Sequence, residues 1–523
     1  MSTKITLKGK KIYCAGVVYL LFPVIVWLIN WTRIQYAMCA VAALVVGFSV
    51  IVCHLDEDGV VNCEINVRGG VLLLVVGVVT LWCLIGGIGG YSYQTSDWIA
   101  RNAIYHDLID YSWPVVYKNG SALCYYFAFW LAPATIGKLC VLIGLSQGAI
   151  WQVSNIALLV WSVVGILISI GLMVQVIDES SNRTLKIVVS TLIFFSGMDI
   201  IGLLFFTNND IIKMMLIDQI HIEWWASYYQ FSSFTTQLFW VFNQAIPAWV
   251  LTLLIYSSDK IENDLYIGIL GSLLCPLPTM GLVGIGLAKV YVEVNNNSLK
   301  TTLRSLLSAQ NLLALIPLVS IVLFFSMNGR STMTAPDSGT GLFDTYIGGR
   351  TLYNVIKLGI FFFLEYGLYL LFLFPTERKN PYWYGVILTL MVCNVTRMGP
   401  SFDFEMRASI PGLIILATMI AKHLSRDDLI GFDNLIESHN CVTQPASRKC
   451  MFQASKVKAT LIIMLCIGSV TPACEIMRAP IKMAQANQFP MVADSQKSFS
   501  NHIDPGFAPM GYHDSMFYKY VGK

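Results

Sequence analysis

Apolar runs of membrane-spanning length recur along almost the whole chain. They lie at 12–31, 36–53, 70–90, 122–146, 151–176, 187–206, 238–256, 265–290, 307–326, 353–375, 382–396, 408–424 and 458–474. A helix of about 20 apolar residues crosses the hydrocarbon core of a bilayer. The pattern therefore predicts an all-α polytopic transmembrane helical bundle of about 12–14 spans. Charged residues make up 12% of the chain, against roughly 25% in soluble domains. Mean hydropathy is +0.64. The net charge of +3 is spread along the chain or sits at span ends, so there is no nucleic-acid footprint.

Lysine and arginine placement orients the spans. Lys4, Lys8, Lys10 and Lys11 precede the run from Ile12 to Trp31. That run is too long for a signal-peptide core and reads as a retained anchor with a cytoplasmic N-terminus. The basic loop around Arg378 and Lys379 and the region from Lys422 to Lys458 read as cytoplasmic too. The segments 91–121, 207–237, 327–350, 397–407 and 475–523 then share the extracytoplasmic side. The expected organisation is a membrane module over 1–474 and an extracytoplasmic tail over 475–523. Counting spans from residue 122 gives the wrong parity at 207–237. Either 122–206 holds three crossings or one of its runs is only half inserted. Pro276 and Pro278 predict a kinked or re-entrant element within 265–290. No internal repeat is evident. The cysteines lie mostly in apolar spans and form no CxxC pair, which argues against a zinc site.

Four polar segments carry the candidate chemistry. The first runs from Tyr91 to Val115 and holds Asp97, Arg101, His106, Asp107 and Asp110 with Trp98 and Trp113. Its stretch from Asp97 to Ile109 is compatible with an interfacial helix, capped by Ser96 or Asp97, with Trp98, Tyr105 and Ile109 on one face. Asp97 and Arg101 are spaced for an ion pair, as are His106 and Asp110. The plain reading is two such pairs on an interfacial helix; the functional reading makes a carboxylate at the helix start a general base. The second segment holds His221, Glu223, Trp224 and Trp225. Paired tryptophans with a carboxylate suit sugar rings, and an aromatic belt is the plain alternative. Asp199, near the end of an apolar run, is a third candidate, because burying an ionisable group in a span is costly. The fourth segment holds Arg397, Asp403 and Arg407. Arg407 suits a phosphate, and an Asp403–Arg407 pair capping the span is the plain alternative.

Three stretches resemble bacterial polytopic glycosyltransferases of the GT-C superfamily. They are Ser96-Asp97-Trp98 through Trp113-Pro114-Val115 with Tyr125-Tyr126; His221-Ile-Glu-Trp-Trp through Pro247; and Asp403-Phe-Glu-Met-Arg-Ala-Ser-Ile-Pro411. The resemblance implies a GT-C-like bundle in a bacterial plasma membrane and a catalytic carboxylate in the first large outer loop. It also implies a polyprenyl-phosphate-linked sugar donor and a glycan or lipid-linked acceptor. The base is expected at Asp97 first and Asp107 second. The donor phosphate is expected at Arg407, with Arg397 and Arg350 behind it. Sugar-ring contacts are expected from His221, Glu223, Trp224 and Trp225, with Asp199 beside them. The resemblance fixes no cofactor, and a divalent metal is compatible with the chemistry. Two other classes fit the composition. One is a transporter or flippase of a polar lipid or sugar, which needs polar residues lining a path at mid-membrane. The other is a glycan polymerase or ligase of another fold, which usually gathers arginines in one outer loop.

Overall fold

The computed structural model describes residues 4–55, 58–59, 61–118, 120–177, 181–207, 221–226, 229–327, 341–342, 352–397, 403–426, 448–486, 498–499, 511–512 and 515–523. Within them the protein is an all-α polytopic bundle. Ten helices among the described residues are long and apolar enough to cross a membrane. The helices relevant to the site are α1 (Gly9–Trp31), α2 (Ile34–His54), α3 (Gly69–Ile85), α4 (Asp97–Asp110), α5 (Ala128–Leu142), α6 (Gln147–Ile177), α7 (Asn182–Phe194) and α8 (Asp199–Phe206). They are followed by α9 (Phe234–Tyr256), α10 (Asp264–Leu274), α11 (Pro276–Asn296), α12 (Leu299–Leu306), α13 (Ala309–Ser326), α14 (Val355–Glu377), α15 (Pro381–Val395), α16 (Asp403–Ser425), α17 (Lys456–Ala486) and α18 (Met516–Tyr520). Helices α9 and α16 are buried over almost their whole length. Most other spans leave apolar residues such as Leu73, Leu81 and Phe205 exposed on their outer faces, as lipid contact requires. Helices α11 and α15 approach closely because Gly284 and Gly385 face each other's backbones, the small-residue contact that brings membrane helices together.

Short strand pairs gather the loops at the two ends of the bundle. At one end β1 (Lys4–Lys8) pairs antiparallel with β2 (Glu64–Arg68). At the other, β3 (Ser121–Ala122) pairs with β6 (Gly511–Tyr512), and β4 (Gly341–Leu342) pairs with β5 (Thr396–Arg397). Arg33, just past α1, donates to the backbone oxygens of Lys519 and Gly522. The described residues of 111–122, 403–407, 511–512 and 515–523 thus cluster at one end.

The parity problem has a structural answer in α5. The helix starts beside the end of α1, with Phe127 5.0 Å from Trp31. Eleven positions later Lys138 Nζ still donates to the carbonyls of Ile109 and Tyr111, at 3.1 and 2.6 Å, at the end of α4. Its last turn exposes Leu142 and Ile143. Helix α5 therefore dips in and stays near the loop end, whereas α6 runs through to place Gln175 beside Gly9. This is the geometry of the half-inserted alternative: one run that stays near the loop end, followed by α6, which runs the length of the bundle, and by α7 and α8.

Three helices are interrupted. The chain leaves helical geometry at Cys275 and restarts at Pro276, so the proline pair does divide that element. It also breaks over 195–198, between α7 and α8. Within α9, Val241 sits at φ −140° and ψ 32°. Residues 475–486 form the last turns of α17. Glu475 and Arg478 are bonded to each other there, at 2.7 and 2.8 Å, which neutralises both charges inside the protein.

Candidate functional site

Helix α4 forms where the sequence predicts, but its aromatic face turns into the protein rather than to the membrane interface. Trp98 stacks on Phe242 of α9 with centroids 4.9 Å apart, and Tyr105 packs on Trp151 of α6. Ser96 makes no side-chain cap. Asp97, in the first turn, is placed favourably against the helix dipole. Asp97 Oδ2 accepts from Arg101 Nη2 at 3.0 Å, and His106 lies 3.0 Å from Asp110, so both spaced pairs form.

Arg101 is the residue around which the site is built. Its side chain is 2% exposed, and it also donates to the carbonyl of Trp240. The non-helical turn at Val241 explains that acceptor. It interrupts the i to i+4 ladder of α9, which leaves the preceding carbonyl free for another donor. The guanidinium lies 5.9 Å from the Trp98 ring and 5.8 Å from Phe242, and its Nε is buried without a hydrogen-bond partner. Burial pulls Arg101 down from its ordinary value, and Asp97 acts against that.

A second arginine faces the same place. Arg407 of α16 is bonded to Asp403 at 2.6 Å and lies 6.0 Å from the Tyr126 ring. Tyr125 joins the two halves. Burial pushes its phenol up, while Arg407 and Arg101 pull it down and Asp403 and Asp97 push it up. Asn243, next to Phe242, donates to the Tyr126 carbonyl at 3.2 Å, so the ring beside Arg101 and the ring beside Arg407 are neighbours. The structure brings Asp97 and Arg407 into one electrostatic cluster although they are far apart in sequence. Each carboxylate is already neutralised by an arginine, so the pair does not fit a divalent cation. Among the described residues no group of three or more His, Cys, Asp or Glu side chains is placed to hold one.

The other candidates are distributed differently. Asp107 is fully buried and holds the segment 498–499: its Oδ2 accepts from Tyr117 at 2.7 Å, Ser498 at 3.1 Å and the Phe499 amide at 2.9 Å. Burial raises its carboxyl above the ordinary range, and those three bonds oppose the rise. Glu223 is also buried and caps α9, accepting from the Ser233 amide at 2.9 Å, Thr236 at 2.6 Å and Gln230 at 3.0 Å. Trp225 is buried against Phe361, with its Nε1 bonded to Glu365. These side chains are committed to internal partners, so of the tryptophan pair only Trp224, 44% exposed, is free to stack on a ring. His221 lies 3.0 Å from Glu475 and edge-on to Trp240, 4.3 Å between centroids. Trp240 itself donates to Glu475 at 3.0 Å and carries Arg478 5.4 Å from its ring. This aromatic and charged wall adjoins Arg101 through the Trp240 carbonyl. Asp199 is buried and accepts from Ser196 and Thr471, each at 2.8 Å. The side chain of Arg397 and the whole of Arg350 lie outside the described residues.

Sequence reasoning treated Arg101 only as a partner of Asp97 and did not assign Trp240, Glu475 or Arg478. Arg101 has a signal in hindsight, an arginine one turn after the candidate base beside Trp98. The fold and the site together define a multi-pass helical membrane protein with a buried, arginine-rich cluster at one end. Searches of protein-family models, of curated proteins and of solved structures find no match to this chain.

Proposed function

We propose that the protein is a membrane glycosyltransferase that moves a sugar from a polyprenyl-phosphate-linked donor to an extracytoplasmic glycan or lipid acceptor. The observation that carries this reading is that the Asp97–Arg101 and Asp403–Arg407 pairs lie beside one another: Arg101 is 5.8 Å from the Phe242 ring, Arg407 is 6.0 Å from the Tyr126 ring, and Asn243 donates to the Tyr126 carbonyl at 3.2 Å. An inverting transfer needs a base for the acceptor hydroxyl and cations for the departing phosphate. Asp97, partly exposed, takes the proton as the acceptor oxygen attacks the anomeric carbon. Arg407 and Arg101 stabilise the negative charge that collects on the phosphate oxygens as the glycosidic C–O bond breaks. Their buried guanidiniums act in a low-dielectric setting, where such stabilisation is strongest. Trp224 and the His221–Trp240 wall offer faces for sugar rings.

The test is lipid analysis of cells that lack the protein and carry either the wild type or Asp97→Asn. We expect a lipid-linked sugar to accumulate without the protein, to clear with the wild type and to persist with the variant. Clearance by a folded Asp97→Asn variant at the wild-type rate removes Asp97 as the base. The transporter reading has one observation in its favour, the buried carboxylates Asp199 and Glu365 in candidate spans. Movement of an unchanged lipid or sugar across vesicles of the purified protein would select it.

A further inference from the structure

Two acidic side chains meet inside the bundle, apart from the Asp97 cluster. Asp199 opens α8 and Glu365 lies in a π-helical turn of α14, over Phe363–Gly367. They are 1% and 2% exposed, and both belong to candidate membrane spans. Gly197, two residues before Asp199, lies against Glu365 Oε2, and the Met198 amide bonds the Leu364 carbonyl, so the two acidic residues are neighbours. Asp199 Oδ2 is taken by the Ser196 and Thr471 hydroxyls, and Glu365 Oε1 by the Trp225 indole at 3.0 Å. The remaining oxygens, Asp199 Oδ1 and Glu365 Oε2, are buried and have no hydrogen-bond partner among the described residues. Neither carboxyl has an ion-pair partner among the described residues.

The backbone is shaped around this pair from both sides. The break over 195–198 carries Gly197 against Glu365 Oε2, where any side chain would collide with the carboxyl. The Met198 amide donates to the Leu364 carbonyl, and Tyr369 donates to the Ser196 carbonyl, each at 3.1 Å. A break in one span thus locks onto a π turn in another, and π turns in membrane and soluble helices concentrate at functional positions. The groups facing the pair are Glu223 before α9, Tyr369 on α14, Thr471 on α17 and Ser196 in the break. None is a cation, so none of the described residues compensates a second negative charge.

Two neighbouring acids buried this deeply, each with an oxygen that has no donor, cannot both be ionised, and a proton on one supplies the missing donor. We propose that Asp199 and Glu365 form an intramembrane proton-binding site in which one proton is shared between the two carboxyls. Its loss to water or to a neighbouring base leaves two anions in contact, which relax by separating α14 from α8. Glu365 holds the Trp225 indole, and Trp225 shares its turn with Glu223 and Trp224. Proton occupancy is therefore passed to the segment that borders the candidate site.

The experiment is infrared spectroscopy of the purified full-length protein in lipid nanodiscs, in sodium-free buffer, in H2O and in D2O. Wild type minus Glu365→Gln is expected to show a protonated-carboxyl C=O band that moves in D2O and disappears as pH is raised. Asp199→Asn is expected to keep a carboxyl band but at higher frequency, since the carboxylate acceptor is gone. A wild type with no such band, or one that neither variant alters, overturns the proposal. So does removal of the band by added sodium at constant pH, which would make the site a sodium site. The isosteric double variant Asp199→Asn/Glu365→Gln gives a second readout, free of charge at the site. Its melting temperature should depend less on pH than the wild type's as pH rises above the ordinary carboxylate range; equal dependence overturns the shared proton.

Discussion

Replacing Asp97 by Asn perturbs two things at once, and the structure gives the size of each. Asp97 neutralises Arg101, whose side chain is 2% exposed, while Asp97 itself is 30% exposed. Two unit charges about 4 Å apart interact by about 4 kcal/mol at an effective dielectric constant of about 20. The open side of Asp97 brings water to the pair, and fully exposed pairs couple by only about 0.2–1 kcal/mol. A coupling of about 1.5–2.5 kcal/mol lies between those limits. The Asp97→Asn variant should lose about 2–3 kcal/mol of stability, less than the about 3–5 kcal/mol for breaking a fully buried pair. The Trp240 carbonyl still accepts from Arg101 and accounts for the difference. A double-mutant cycle with Asp97→Asn, Arg101→Gln and both together, read by reversible denaturation in mixed micelles, measures the coupling. The activity term is separate. Loss of a general base slows transfer by about 10²–10⁴-fold, and the double variant should recover stability while staying slow. A coupling below about 0.5 kcal/mol would refute the electrostatic account of the cluster. Near-wild-type transfer by the double variant would refute the catalytic one.

Further substitutions separate packing from binding. Trp225→Ala should cost about 3–5 kcal/mol, as removal of a buried large aromatic does, whereas Trp224→Ala should leave stability nearly unchanged and raise KM for the sugar donor. Equal stability losses in equilibrium denaturation would show that the two tryptophans are not divided as described. Glu223→Ala leaves the Ser233 amide, Thr236 and Gln230 without their acceptor; at about 1 kcal/mol each it should cost about 3 kcal/mol. Glu223→Gln, which keeps an acceptor oxygen, should cost less, and a reversed order would sink the capping role. Asp107 yields the pH prediction. Burial raises its folded value, so its contribution is complete below the unfolded carboxylate range and is lost as pH rises through the raised value. Hydrogen exchange at the Phe499 amide should therefore quicken with pH beyond the intrinsic rate in the wild type. In Asp107→Asn that extra quickening should be absent; identical profiles would exclude Asp107 as its source.

The parts legible in the sequence are those set by length and local spacing. A run of about 20 apolar residues has few alternatives in lipid, and an i, i+4 charge pair on a helix needs no tertiary information to form. That is why the spans, the α4 helix and the Asp97–Arg101 and His106–Asp110 pairs could be read in advance. Composition does not tell a half-inserted helix from a full one, and α5 is as apolar as its neighbours. Its one local clue is Lys138, which reaches back to the Ile109 and Tyr111 carbonyls instead of lying in hydrocarbon. Nor does composition tell which side of a polar loop faces inward. Glu223 and Trp225 share a short turn with Trp224, yet only Trp224 is exposed, because Glu365 and the start of α9 lie across from the others. The turn at Val241 has no sequence mark at all, and Arg101 depends on the carbonyl next to it. The site is therefore written at two levels. Its charges follow from the sequence, but their pairing across helices depends on irregular backbone, at Val241 and at 195–198, that only the packed bundle maintains.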